Sequence, residues 1–298
     1  MTVRIGINPI TWTNDDMPAL GGDTPLEVCL SEARQAGYAG IEMGGKFPTR
    51  VAELKPILDR HGLALISGWY SAKLLERDAK AEINAIAHHL DLMSGMGCPV
   101  MVFAEGSGAT HGDRTQPAGR RRTIGDSEWA EYGKRLDVLA EHMMRRGVRL
   151  AFHHHMGTAV QTGPEIDRLM HSTGDAVGLL LDTGHATYAG ADSLDLARRH
   201  AKRIVHVHCK DVRGPALQAA RQADRSFLDA VIDGVFTVPG DGSLDFPPVL
   251  EVLHAHGYSG WLVVEAEQDP AKAHPLTYAT MGYRSLSRMA AEAGFAVS

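Results

Sequence analysis

Four apolar runs of this chain each end on a residue type that binds divalent metal ions. The runs are residues 148–152, 178–181, 204–207 and 261–264, and they lead into His153, Asp182, His208 and Glu265. In a (β/α)8 barrel the functional groups sit at the carboxyl ends of different strands, so ligands distant in sequence converge on one face. The pattern therefore predicts a parallel barrel with a metal ion at its mouth.

These four residues form a mixed nitrogen and oxygen ligand set. Such a set suits Mn²⁺, Co²⁺, Fe²⁺ or Zn²⁺ better than Ca²⁺, and we expect Mn²⁺ or Co²⁺, with Zn²⁺ and Fe²⁺ as alternatives. Side chains alternate along a strand, so His153 and His155 share one face while His154 lies on the other. Because the small Ala151 suits the crowded barrel interior, we predict that His153 and His155 point inward.

A repeated order of helix, glycine and strand supplies the elements that must position these residues. A glycine precedes several strand-like runs, at Gly37, Gly62, Gly97, Gly147 and Gly257. Glycine tolerates the left-handed conformation that closes many helices. Further apolar runs at residues 3–7, 177–181 and 204–207 bring the candidate strands to eight, separated by segments long enough for helices. The chain is therefore predicted to be a single (β/α)8 TIM barrel over residues 1–298, an α/β fold.

The ends of two helices and two long connections are also predicted. Thr24, Pro25 and Glu27 indicate a capping box at the start of the first helix, and residues 275–293 predict a terminal helix outside the barrel. Residues 105–126 and 211–244 follow strands and so lie on the catalytic face. We expect them to serve as lids or substrate walls, with surface insertion as the alternative.

The composition limits the class of partner. A net charge of −6 argues against general affinity for nucleic acid or for an anionic membrane, and the basic run at residues 120–122 is interpreted as a solvated loop. Cys29, Cys98 and Cys209 show no CxxC spacing, which fits a reducing cytoplasm. No apolar stretch approaches ~20 residues. We therefore expect a soluble, cytoplasmic protein, with self-association left open because no interface signature is visible.

Several segments resemble the xylose isomerase-like barrel superfamily, which includes sugar isomerases, ketose epimerases and apurinic endonucleases. The resemblance rests on residues 181–186 (LDTGHA), 208–211 (HCKD) and 264–265 (VE). It implies a TIM barrel with a divalent metal at Asp182, His208 and Glu265. It does not fix the reaction.

A closer resemblance, to the inosose dehydratase family, covers nearly the whole chain through residues 5–16, 20–27, 153–158 and 265–270. It implies a hydro-lyase of inositol catabolism that converts 2-keto-myo-inositol, a small cyclic polyol ketone, through an enediolate to a trihydroxycyclohexane-dione. Isomerases and epimerases of the superfamily usually carry glutamate where this chain has His153. That difference weakens the alternative, a metal-dependent keto-sugar isomerase or epimerase. It also leaves open a site with three protein ligands and water, without His153.

Residues near the strand ends are candidates for catalysis. Glu265 and Glu42 are candidate bases, although Glu42 is equally suited to position a metal ligand. His185 and His155 are candidate acids, because histidine titrates near neutrality. The candidate substrate contacts are polar or aromatic residues that follow strands: Asn8, Trp12, Trp69, Lys210 and Arg213.

Two hypotheses from other functional classes also remain open. An abasic-DNA endonuclease shares the DTGH segment at residues 182–185, but the acidic balance and the lack of a basic groove count against it. A non-catalytic polyol-binding barrel would bind its ligand without metal.

Overall fold

Eight parallel strands of the computed structural model, which describes residues 1–298, close into a barrel. The structure has eleven strands in all: β1 (Thr2–Ile7), β2 (Gly40–Met43), β3 (Ala64–Ala72), β4 (Val100–Glu105), β5 (Arg149–His153), β6 (Val177–Asp182), β7 (Ile204–Cys209), β8 (Asp211–Val212), β9 (Phe236–Thr237), β10 (Gly260–Val264) and β11 (Ala296–Val297). The barrel comprises β1 to β7 and β10, and it closes where Ile5 of β1 pairs with Leu262 of β10. The predicted TIM barrel is therefore confirmed.

Helices alternate with the barrel strands along the chain. They are α1 (Leu26–Ala36), α2 (Val51–His61), α3 (Ala79–Met96), α4 (Trp129–Arg145), α5 (Gly163–His171), α6 (Thr183–Tyr188), α7 (Ser193–His200), α8 (Gly214–Gln222), α9 (Phe227–Ile232), α10 (Phe246–Ala255) and α11 (Pro275–Glu292). No helix combines the length and the hydropathy that crossing a membrane requires. The predicted terminal helix is α11, and it contacts α1 and α10.

The predicted glycine positions are confirmed, but the predicted capping box is wrong. The five glycines that precede strands have φ angles between 63° and 113°, in the left-handed region. At the start of α1 no side chain caps the helix. Glu27 Oε1 instead lies 2.9 Å from His61 Nε2 at the end of α2, so the carboxylate is engaged by another helix.

Residues 211–244 form a packed wall rather than an irregular loop. They contain the two-stranded sheet of β8 and β9 together with α8 and α9. A hydrophobic cluster of 12 buried residues, separate from the main core, includes Phe227, Val231 and Phe236 from this wall. Because the wall has its own apolar core, it resists local opening.

The first long connection is held by ion pairs. Arg121 donates to both carboxylate oxygens of Glu165, at 2.7 and 2.8 Å, and Arg122 donates to Glu128 at 2.9 Å. The side chain of Arg121 is only 5% exposed. The prediction of a purely solvated basic run is therefore wrong for Arg121, which anchors the connection to the start of α5.

Candidate metal centre

The four predicted metal ligands lie together at the carboxyl end of the barrel. One ligand atom from each of His153, Asp182, His208 and Glu265 lies within 4.8 Å of the others, and all four residues are buried. His208 Nδ1 lies 3.1 Å from Glu265 Oε2 and 3.4 Å from Asp182 Oδ2. His153 Nε2 lies 3.6 Å from the same aspartate oxygen. We call these four residues the metal cluster.

The metal cluster contains buried polar atoms that no hydrogen bond satisfies. They include His153 Nε2, Asp182 Oδ2, His208 Nδ1 and Glu265 Oε2, the last of which is 2.9 Å from the ammonium of Lys210 in an ion pair. Buried polar atoms in proteins nearly always have a partner, so four orphaned atoms facing one another indicate a bound group. A divalent cation fits, because imidazole nitrogen and carboxylate oxygen are its usual ligands and its charge balances two carboxylates.

Burial and charge act differently on the two histidines of this cluster. Burial, with the charges of neighbouring histidines, holds the pKa of His153 well below its usual value. Burial acts in the same direction on His208, but the carboxylates of Glu265 and Glu42 outweigh it and raise the pKa well above the usual value. Since histidine binds metals as the neutral ring, a cation would take the place of the proton on His208.

Glu42 lies beside the metal cluster, and both of its oxygens are occupied. Oε1 accepts a hydrogen bond from Ser67 at 2.6 Å and lies 2.9 Å from His206 Nε2, while Oε2 accepts from Asn8 at 2.8 Å. The Nε2 atom of His208 lies 3.2 Å from the same carboxylate. A carboxylate on the second nitrogen of a metal-bound histidine fixes the ring and its tautomer. The geometry thus supports the positioning role for Glu42 over the base.

We expect Glu42→Gln to weaken metal binding about 10- to 100-fold, because both oxygens of Glu42 face hydrogen-bond donors and the amide nitrogen would replace one of these acceptors with a donor. Calorimetric titration of the metal-free protein with Mn²⁺ measures the change. The matched control is Glu105→Gln, which alters a buried glutamate at the end of β4 whose oxygens accept from the backbone of Leu74 and Ser107. Equal metal affinity in the two variants would contradict the positioning role.

A second cluster lies next to the first and consists of His155, His185, Lys210 and Glu267. Glu267 Oε1 lies 2.6 Å from Lys210 Nζ, 3.4 Å from His185 Nε2 and 3.8 Å from His155 Nε2. Burial alone would raise the pKa of Glu267, but the ammonium of Lys210 holds it well below its usual value. Lys210 Nζ also lies 2.9 Å from Glu265 Oε2, so a charged lysine connects the two clusters.

The two histidines of this second cluster have different hydrogen bonds. The backbone N–H of Met156 donates to His185 Nδ1 at 3.1 Å, while His155 Nδ1 donates to the carbonyl of Met156 at 2.7 Å. His185 lies in α6, and it is fully buried beside Phe227. Of these two histidines, His155 is the one that lines the cavity.

A cavity of about 120 Å³ opens at the metal cluster. Its walls are Asn8, Ile10, Thr13, Asp15, Asp16, Met43, Trp69, His155, Glu265 and Glu267. A space of this size holds several water molecules. A larger cavity of about 560 Å³ lies outside the barrel, between α6, α7, α8 and α10, and no residue of either cluster lines it.

The predicted substrate contacts separate into two groups. Asn8 and Trp69 line the cavity, and the fully buried Lys210 stands behind its wall. Trp12 and Arg213 do not line it. The Trp12 indole is buried and donates to Glu32 at 2.6 Å, while the Arg213 guanidinium hydrogen-bonds within the 211–244 wall.

Three acidic residues of the cavity were not identified from the sequence. Glu267 follows Glu265 by two positions, so the alternation of strand residues, continued past β10, was a usable signal. Asp15 and Asp16 belong to the irregular segment after β1. Their approach to the cavity depends on the path of that segment, for which the sequence offers no periodic signal.

Comparisons with known proteins agree with this architecture. A family model described as "Xylose isomerase-like TIM barrel" matches residues 30–287. The chain is 59% identical, over all of its length and 92% of the relative's, to "Rhizopine catabolism protein MocC" of Rhizobium meliloti. It is 45% identical to "Inosose dehydratase" of Geobacillus thermodenitrificans, over 93% of this chain and 94% of that protein.

Solved structures confirm the fold. "IOLI protein with a binding zinc atom" superposes with a TM-score of 0.67 at 18% identity, covering 98% of both chains. The "probable 3-DHS dehydratase AsbF" from Bacillus anthracis superposes with a TM-score of 0.70 at 14% identity, covering 96% of this chain and 99% of that one. This chain belongs to the xylose isomerase-like TIM-barrel family, as an enzyme whose curated relatives over most of its length include inosose dehydratases, which are hydro-lyases.

Proposed function

We propose that this enzyme dehydrates 2-keto-myo-inositol to a trihydroxycyclohexane-dione in inositol catabolism and that it requires a divalent metal, Mn²⁺ or Co²⁺. The observation that carries the proposal is the meeting of a metal-ligand set and a histidine–glutamate–lysine cluster at one small cavity. Relatives named inosose dehydratase, at 45% and 41% identity over 93% of the chain, support the choice of reaction.

Dehydration requires the loss of a proton next to the ketone and of a hydroxyl one carbon further on. A divalent cation in the metal cluster, when bound, stabilises negative charge on substrate oxygens. Glu265 is the base in this proposal, because it lines the cavity and Lys210 stabilises its ionised form, whereas Glu42 is engaged by other side chains. The electron pair of the broken C–H bond passes into the enediolate and then into the new C=C bond.

The departing hydroxyl needs a proton, because hydroxide is a poor leaving group. His155 is placed to supply it, since its ring lines the cavity and its Nε2 faces Glu267 while Nδ1 is tied to the Met156 carbonyl. Water leaves, and the resulting enol rearranges to the dione. His185 packs against His155, with ring centroids 3.9 Å apart, and holds it in place.

Product analysis tests the proposed reaction. The Mn²⁺-loaded enzyme is expected to convert 2-keto-myo-inositol to a product lighter by one water, with a rise in ultraviolet absorbance from the enol or dione. The metal-free enzyme is the control and should form neither. A product of unchanged mass would contradict dehydration and identify a keto-sugar isomerase or epimerase.

A second candidate is a step of rhizopine catabolism, favoured by the 59% identical relative. The same assay distinguishes the two when rhizopine replaces or competes with 2-keto-myo-inositol. Turnover of rhizopine together with inert 2-keto-myo-inositol would favour this second function.

A further inference from the structure

The charged side chains that line the cavity do not balance one another. A divalent cation offsets the carboxylates of Asp182 and Glu265, and the 2.6 Å ion pair with Lys210 offsets Glu267. Asp15 and Asp16 also line the cavity, and no lysine or arginine does. These two negative charges have no lysine or arginine partner, and His155 adds a positive charge to the cavity only when both of its ring nitrogens hold a proton.

Neither aspartate pairs with a lysine or an arginine; burial raises the pKa of Asp16, and the charge of His155 acts in the opposite direction. Asp15 Oδ2 accepts a hydrogen bond from the backbone N–H of Gly45 at 2.7 Å and forms no ion pair. The one ion-pair partner within reach of Asp16 is His111, with Nε2 4.0 Å from Asp16 Oδ2. Burial, followed by the charge of His155, lowers the pKa of His111 to about 4, so this ring is uncharged near neutral pH.

We propose that Asp15 and Asp16 form a negatively charged rim that rejects anionic ligands and restricts the cavity to uncharged polyols. The inference rests on the proposed function for the identity of the uncharged substrate. A phosphate or carboxylate entering the cavity meets two fixed like charges in a partly desolvated setting, which weakens its binding about tenfold or more. The same charges do not repel a neutral cyclic polyol, whose hydroxyls donate hydrogen bonds to carboxylates.

Binding of two inert probes to the Mn²⁺-loaded protein tests the rim. The probes are myo-inositol and myo-inositol 1-phosphate, measured by calorimetry in the wild type and in the Asp15→Asn/Asp16→Asn double variant. Asparagine keeps a carbonyl oxygen for the Gly45 N–H and removes only the charge. The control is Asp113→Asn, which alters an exposed aspartate that does not line the cavity.

In the wild type we expect the phosphorylated probe to bind about tenfold more weakly than myo-inositol, and added salt to reduce that difference. In the double variant the ratio of the two affinities should shift toward the anion about fivefold or more, while Asp113→Asn leaves it unchanged. An unchanged ratio of affinities in the double variant would contradict the proposal that Asp15 and Asp16 reject anionic ligands. If the ratio of affinities shifts but the enzyme does not convert 2-keto-myo-inositol, the proposed function is refuted while the proposed role of the rim is retained.

Discussion

Asp182→Asn is expected to abolish tight metal binding and to slow dehydration of 2-keto-myo-inositol by on the order of 10³-fold or more. The orphaned Oδ2 atom of Asp182 faces the two histidines of the metal cluster, and an amide nitrogen in its place cannot bind a cation. Oδ1 accepts from the backbone of His185 at the start of α6, and asparagine preserves that bond. The substitution therefore removes a metal ligand with little effect on the fold.

Elemental analysis of the purified variant and its rate of dione formation measure both effects. Asp192→Asn is the matched control, because Asp192 likewise caps a helix, α7, but lies outside the metal cluster. Circular dichroism and thermal unfolding establish that both variants fold. Wild-type metal content and turnover in Asp182→Asn would show that the metal cluster is not the metal site.

His155→Gln is expected to lower kcat about 10²- to 10⁴-fold while the metal content stays at the wild-type level. Glutamine retains a donor for the Met156 carbonyl, but its amide does not transfer a proton near neutral pH. His185→Gln is expected to cause a smaller loss, because His185 is buried behind His155 and does not line the cavity.

A partial reaction separates loss of the acid from general damage to the site. In deuterated water, the His155→Gln variant should still exchange the proton next to the ketone, since Glu265 remains, although the hydroxyl no longer leaves. Near-normal turnover in His155→Gln with a large loss in His185→Gln would transfer the acid role to His185.

The metal cluster was predictable because the local sequence pattern shows where each strand ends, and the barrel strands neighbour one another in chain order. Asp182 and His208 are directly paired across β6 and β7, so two apolar runs of similar length suffice to bring them together. The alternation of residues along β5 and just past its end likewise placed His153 and His155 on the same side, with ring centroids 5.2 Å apart. These contacts depend on the barrel and not on the conformation of a loop.

The substrate contacts were less predictable because they depend on loop paths. Trp12 follows β1 and packs into the core, where it donates to Glu32. Trp69 lies within β3 and lines the cavity. The wall at residues 211–244 was expected only as a lid or wall of unspecified structure. Its helices α8 and α9 have nine and six residues, too short for a clear helical period.

Anomalous scattering from a crystal of the Mn²⁺-loaded enzyme tests the central claim most directly. We expect one peak per chain, about 2.0–2.3 Å from His153 Nε2, Asp182 Oδ2, His208 Nδ1 and Glu265 Oε2. A peak bound to Asp182, His208, Glu265 and water would exclude His153 as a ligand but keep the metal centre. A peak between His155, His185 and Glu267, or none at the barrel mouth, would contradict the account.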